Sequence, residues 1–170
     1  MSFSCSVLLE DIDINCNKST IGGIKQVALG LQSNLNIALD ANDETVVLQA
    51  ELVDHVIFEH NKKDATTIFT ENKSISNGLG VINTEIIVRL PVLDRKMNQI
   101  DHMSRREDIV CILFHNNGTA TISGWMDGLS MSYEASSGTS RSELSYVNVT
   151  LNTTSWIASL ACNENIVGLG

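Results

Sequence analysis

Between residues 81 and 90 hydrophobic and polar positions alternate. Ile82, Thr84, Ile86, Val88 and Leu90 fall on one side, and Asn83, Glu85 and Arg89 on the other, with Ile87 among them. Strand side chains switch faces at every residue, so this run predicts a strand with one buried and one wet face. Pro91 ends it, having no N–H for a ladder. The next run, about residues 94–107, reads as a helix with Asp94 as N-cap. Leu93, Met97, Ile100 and either Met103 or Ser104 recur at helical spacing. The apolar run Ile109–His115 predicts a strand. Asn116-Asn117-Gly118 predicts a tight hairpin turn, because Asn-Gly tolerates the positive φ angles it needs, and Thr119–Trp125 follows as its return strand.

The same patterning extends in both directions. Ile21-Gly22-Gly23-Ile24 leads into a strand over Lys25–Leu31, and Leu35, Ile37 and Leu39 alternate as a second strand. Asp40–Glu44 is a turn. Thr45–His60 is a long apolar stretch read as one strand, although its Leu, Val and Glu content also permits a helix. After a turn at Asn61–Asp64, Ala65–Ser76 is a Thr-rich projecting strand, and Asn77-Gly78-Leu79-Gly80 turns the chain back. Met126-Asp127-Gly128 is another turn, Leu129–Glu134 a short strand and Ala135–Glu143 a Ser/Gly-rich loop. Leu144–Asn152 alternates again, and Trp156–Ala161 is a final apolar stretch, strand-like or a docking tail. The expected fold is mainly β: an antiparallel sandwich or barrel with one flanking helix.

Composition narrows the picture. At 170 residues with 43 % hydrophobic content the chain is long enough for one domain with a real core, residues 1–20 forming an N-terminal arm. Aromatics make up only 5 %, so Ile, Val and Leu must fill that core. The net charge of −9 disfavours tight binding to a phosphate backbone. The densest basic pairs, Lys62-Lys63 and Arg105-Arg106, each have an acid within two residues. The start of the chain has no basic segment before an apolar one, which speaks against a secretion signal, and no run of about 18 apolar residues predicts a membrane span. Cys5, Cys16, Cys111 and Cys162 are then expected as reduced thiols, Cys111 as a small buried hydrophobe. The five N-x-S/T triplets, at Asn17, Asn72, Asn117, Asn148 and Asn152, are matches by chance in a chain rich in those residues.

Motifs that carry chemistry fail on inspection. Asp11-Ile12-Asp13-Ile14-Asn15 begins like a calcium loop, but Cys16 stands where a Gly is needed and Gly22 where a bidentate Glu is needed. Gly78-Leu79-Gly80 lacks the third glycine of a dinucleotide fingerprint and leads into a strand, not a helix. His55 and His60 are five apart, which puts them on opposite faces of one strand. Cys111 and His115 share a face but lie about 13 Å apart along it, too far for a thiolate–imidazole pair. No G-x-S-x-G, P-loop or C-x-x-C is present. No catalytic, cofactor or metal-ligating residues are assigned, and a non-enzymatic role is expected.

The order of several pieces resembles the tail tube proteins of tailed bacteriophages, most closely those of phages infecting Bacteroidota. The pieces are Gly22-Gly23-Ile24-Lys25, Ala65-Thr66-Thr67-Ile68-Phe69-Thr70-Glu71 before an Asn-Gly turn, Leu90-Pro91-Val92-Leu93-Asp94, Asp108–Trp125 and Ser136-Ser137-Gly138-Thr139. Together they cover roughly residues 21–160. The resemblance implies a structural virion protein, assembled in the host cytoplasm into the tail. Six copies form a ring, and rings stack into a hollow tube through which DNA passes without specific binding. It also implies contact with other tail or connector proteins and none with a membrane. The lumen-facing candidates are Asn83, Glu85 and Arg89, with Asn148, Thr150 and Asn152 next; a plain solvent-exposed sheet face accounts for the same six. Met1–Thr20, Asn61–Gly80 and Ala135–Glu143 are the expected sources of contacts between copies. A head–tail connector or terminator ring, and the inner tube of a phage-like injection apparatus, share the implied fold. The rival from another class is a soluble β-sandwich binding module, for example for carbohydrate, using Trp125, Trp156, Tyr133 or Tyr146 as platforms.

Overall fold

The structure is a computed structural model, and it describes residues 23–40, 47–52, 54–59, 66–76, 78–90, 97–136 and 146–163. The expected N-terminal arm and most of the loop at Ala135–Glu143 lie outside these residues. The strands are β1 (Ile24–Leu31), β2 (Leu35–Asp40), β3 (Val47–Leu52), β4 (His55–Glu59), β5 (Thr66–Ser76), β6 (Leu79–Leu90), β7 (Ile109–His115), β8 (Thr119–Ser123), β9 (Ser130–Ser136), β10 (Tyr146–Ser155) and β11 (Leu160–Asn163). Helix α1 (Met97–Met103) stands between β6 and β7. The strands form a seven-stranded sheet, in the order β2-β3-β11-β8-β7-β1-β4, and a four-stranded sheet, in the order β5-β6-β10-β9. All pairings are antiparallel except β3 with β11. The mainly β sandwich with a flanking helix is therefore present, as two open sheets.

The main core lies between the sheets. Val27 and Leu29 on β1, Phe58 on β4, and Ile109, Cys111 and Leu113 on β7 meet Ile86 and Val88 on β6, Met131 on β9, and Val147, Val149 and Leu151 on β10. Ile100 of α1 closes one side of it. Strand β7 is buried on both faces, so its apolar run does not alternate. Its second face, Val110, Ile112 and Phe114, packs with Ala28, Ala120, Ile122 and Leu52 in a second cluster. Leu52 belongs to β3, four places from β1 in the sheet order, yet it covers Gly30 of β1: a Cβ added at Gly30 would lie 2.7 Å from the Leu52 Cδ atoms. The seven-stranded sheet therefore curls until β3, near one edge, meets β1, near the other.

Four local expectations are corrected. Thr45–His60 holds two strands, with Asp54 at a bend between them, not one strand or a helix. β3 pairs with β2 while β4 pairs with β1, and His55 Nδ1 lies 2.9 Å from the Leu52 carbonyl at the corner. The helix expected through residue 107 ends at Met103, because Ser104 Oγ donates to the Asp101 carbonyl (2.7 Å) and Arg106 N–H closes a tight turn on Met103 (3.0 Å); Asp94 lies outside the described residues. The strand expected through Trp125 stops at Ser123, where Gly124 adopts φ +74° and passes so close to Ile109 that a Cβ would lie 2.7 Å from its carbonyl oxygen. The strand expected within Trp156–Ala161 begins only at Leu160.

Candidate functional site

The four-stranded sheet positions the residues singled out from the sequence. In β6 the alternation holds at each site: Ile82, Thr84, Ile86 and Val88 are buried, and Asn83, Glu85 and Arg89 are exposed. β10 lies against β6 in a register that pairs Asn148 with Arg89, Thr150 with Ile87, Asn152 with Glu85 and Thr154 with Asn83. All six lumen-facing candidates therefore share one contiguous patch on the sheet's outer face. The other strands extend it. β9 sets Ser130 beside Asn152, Ser132 beside Thr150 and Glu134 beside Asn148. β5 sets Asn72 beside Asn83, Thr70 beside Glu85 and Ile68 beside Ile87. The flanking members were legible in principle, since alternation in Ser130–Ser136 and Thr66–Ser76 marks their faces, but only the register shows which are neighbours.

Two pairs of polar side chains on this face bond to each other. Thr154 Oγ1 donates to Asn83 Oδ1 (3.0 Å), and Ser130 Oγ donates to Asn152 Oδ1 (2.7 Å). The Arg89 guanidinium lies over the Tyr146 ring, 4.0 Å from its centroid. Among the described outward side chains of this sheet Arg89 is the cation and Glu85 and Glu134 the anions, so the face is weakly acidic. Towards one end it dips into a shallow polar groove of about 640 Å³, lined by Thr70, Asn72, Asn83, Glu85, Asn152 and Asp127 among others. Ile68 and Ile87 are the apolar interruption, and Ile68 is well exposed.

Beneath this face the polar groups are structural. Glu71 points inward from β5, where its Oε2 accepts from Thr84 Oγ1 (3.2 Å) and from the Ser159 N–H (2.9 Å), tying the sheet to the segment before β11. Ser155 Oγ donates to Asp127, which holds the β8–β9 turn against the end of β10. Arg106 forks onto Asp108 with two bonds of 2.8 Å and holds its carboxyl below the usual range. His115 Nε2 lies 2.9 Å from Thr121 Oγ1, and burial pulls its pKa down. Cys111 is fully buried in the main core and its thiol is pushed far up, the small buried hydrophobe expected. His60 lies outside the described residues. Among the described residues no group of three or more His, Cys, Asp or Glu side chains could hold a metal ion, and no helix is long and apolar enough to cross a membrane.

The four candidate aromatic platforms are not assembled into one. Trp125 is half-buried with its Nε1–H directed at the Ala158 carbonyl (3.3 Å), Tyr133 donates to Asp101 (3.1 Å), and Tyr146 lies beneath Arg89. Trp156 is the one that is mostly exposed. A second groove, about 510 Å³, runs between β1, β4 and α1 and is lined by Leu29, Val56, Met103, His55, His102 and Arg106 among others.

What these features define is a two-sheet antiparallel sandwich that presents an extended, self-bonded polar sheet face. Comparison with family models, with curated proteins and with solved structures finds no match to this chain.

Proposed function

We propose that this chain is the subunit of a homohexameric ring that stacks into a conduit for DNA, as in the tail tube of a tailed phage. The observation that carries the proposal is the four-stranded sheet with one face against the core and the other mostly polar, interrupted at Ile68 and Ile87. Among the described residues its edge strands β5 and β9 have a sheet neighbour on one side only. Four alternating strands put β5 and β9 in opposite directions, so a neighbouring copy's β5 laid along β9 continues the antiparallel pattern. Six such sheets joined edge to edge close into a barrel of backbone diameter about 50 Å at the usual strand spacing and tilt, which admits a DNA duplex once side chains are added. Closure also removes exposed edges that otherwise invite uncontrolled pairing.

In that arrangement Asn83, Glu85, Arg89, Asn148, Thr150 and Asn152 line the lumen. The weak negative charge of the face, with Arg89 stacked on Tyr146, disfavours holding phosphates. The proposal assigns the protein to the virion tail, with copies of itself and other tail or connector proteins as partners and no catalysis. A connector or terminator ring uses the same closure and stops after one or two layers.

The test is electron microscopy of the purified protein across a concentration series, with light scattering for mass. Six-fold hollow rings or tubes are expected, and open-ended growth selects tube over connector. A monodisperse monomer at every concentration, with and without a preformed tail end as a seed, refutes the proposal.

A further inference from the structure

Among the described residues five of the seven exposed large hydrophobic side chains fall near one end of the four-stranded sheet; Ile68 and Tyr133 lie further along its strands. Ile75 and Leu79 flank the β5–β6 turn, Trp156 and Ile157 follow the end of β10, and Met126 sits in the β8–β9 turn. The register brings these segments to one end of the four-stranded sheet. Ile75 pairs with Gly80 and Leu79 with Ser76, while Ser155, just before Trp156, pairs with Ile82. The Ser155–Asp127 bond fixes the Met126 turn at the same end. The hairpin there stands clear of the body, since a Cβ added at Gly78 would meet nothing within 4 Å. Trp156 is 67 % exposed and Ile75 78 %.

We infer that this end is the surface on which the next ring sits, with Trp156 as its anchor and a second copy of this chain as its occupant. The inference rests on the ring proposed above. In such a ring the two sheet edges face neighbours and the outer face lines the lumen, so the strand ends point along the axis. The five side chains expose on the order of 500 Å² per copy, the upper end of what a monomer carries as one patch. A single pair burying that patch falls short of the roughly 1,200 Å² of a stable interface, so isolated copies do not hold each other. Copies fixed in a ring engage together, and each further contact is then intramolecular, which converts a weak contact into a firm one. The surface thus favours stacking of closed rings over pairing of monomers. Tryptophan is the residue type most often found at the energetic centre of an interface.

The chain's two tryptophans give a direct readout. Trp125 is half-buried already, so a blue shift of emission on assembly reports burial of Trp156. Sedimentation velocity and emission are followed together over a protein concentration series for the wild type, Leu79→Ser and Trp156→Ser. Both substitutions fall on exposed side chains, and circular dichroism checks that each variant folds. The expected result is rings in all three, a blue shift that accompanies stacking in the wild type, and a stacking concentration raised at least about ten-fold in each variant. Wild-type growth that stops at a pair of rings, with the same shift, supports the occupant and makes the protein a connector. Stacks that form in both variants at the wild-type concentration, or without any shift in the wild type, overturn this inference and leave the ring standing. A wild type that stays monomeric with unchanged emission overturns both. A shift produced by phosphatidylcholine vesicles instead of by protein concentration also overturns it, in favour of a membrane surface.

Discussion

Two glycines with nearly the same backbone conformation should respond very differently to alanine. Gly78 has φ +80° and Gly128 φ +75°, both in the left-handed region. An alanine there costs about 1 kcal/mol for the conformation alone. At Gly78 that is the whole effect, because nothing stands within 4 Å of the added Cβ. At Gly128 the Cβ would lie 2.3 Å from the Glu107 carbonyl oxygen and 3.0 Å from the Asp108 Cα. Those are backbone atoms, so they retreat only if the chain moves, by about an ångström. The chain there is held by paired bonds between Leu129 N–H and the Ile109 carbonyl (2.8 Å) and between Ile109 N–H and the Leu129 carbonyl (3.3 Å). This bridge hooks the start of β7, in one sheet, to the residue before β9, in the other. Forcing it apart resembles overpacking a core, about 2 kcal/mol. Gly128→Ala should therefore lose about 3 kcal/mol and Gly78→Ala about 1 kcal/mol.

Urea unfolding followed by tryptophan emission, at concentrations low enough to keep the chain monomeric, measures both. With a slope of about 2 kcal/mol per molar, the midpoint falls by about 1.5 M for Gly128→Ala and about 0.5 M for Gly78→Ala. The comparison cancels the shared conformational cost and isolates the close approach of the Gly128 turn to Glu107. Equal losses in the two variants would show that this approach is not part of the native fold, and the link between sheets argued from it would go too.

Adjacent residues on β10 give a second contrast. Leu151→Ala empties a fully buried site between the sheets and should cost about 2–5 kcal/mol, whereas Asn152→Ala on the outer face should stay within about 1 kcal/mol, both read from urea midpoints. A large loss at Asn152 would mean that this face is packed against something in the monomer. For His115, burial lowers the folded pKa below its ordinary 6.5, so the unfolded chain takes up the proton first. Its contribution is complete above that ordinary value and declines as pH falls from it through the folded pKa. Thermal midpoints between pH 7.5 and 5 should drop less in His115→Gln than in the wild type, and identical slopes would refute the assignment.

Much of the four-stranded sheet was legible because its signals are local. In Ile82–Leu90 the alternation states the buried face outright, and Asn-Gly and Asp-Gly pairs mark where chain direction changes. Asn83, Glu85 and Arg89 follow from that alternation, and Asn148, Thr150 and Asn152 from the same pattern in β10; the register between the strands joins the two sets. The seven-stranded sheet was less legible because its pairings are distant in sequence. β1 lies between β7 and β4, and β11 joins β8 to β3, none of which any nearby residue announces. The break inside Thr45–His60 carries no glycine or proline; it is made by the separate partners of β3 and β4. Trp156 reads as one more apolar residue after a strand. It is exposed because the ladder ends at Ser155, whose hydroxyl both donates to Asp127 and accepts the Ile157 N–H (3.1 Å), turning the chain away from the sheet.

The difference between the two sheets bears on what the molecule does. The seven-stranded sheet covers its own second face, with Leu52 over Gly30 and both sides of β7 in cores. Among the described residues nothing covers the second face of the four-stranded sheet. A face meant to recognise one ligand would be expected to hold a cluster of one charge or an aromatic platform. Here the side-chain carbonyl oxygens of Asn83 and Asn152 accept from Thr154 and Ser130, Arg89 is stacked on Tyr146, and the carboxylates of Glu85 and Glu134 are set on different strands. A polar, weakly acidic wall is wetted readily and offers little to a passing polyanion. Exposed apolar side chains stand instead at the strand ends around Trp156. That division, a polar face along the strands and an apolar end, fits the stacked conduit proposed above, in which the face lines a lumen and the end meets the next ring.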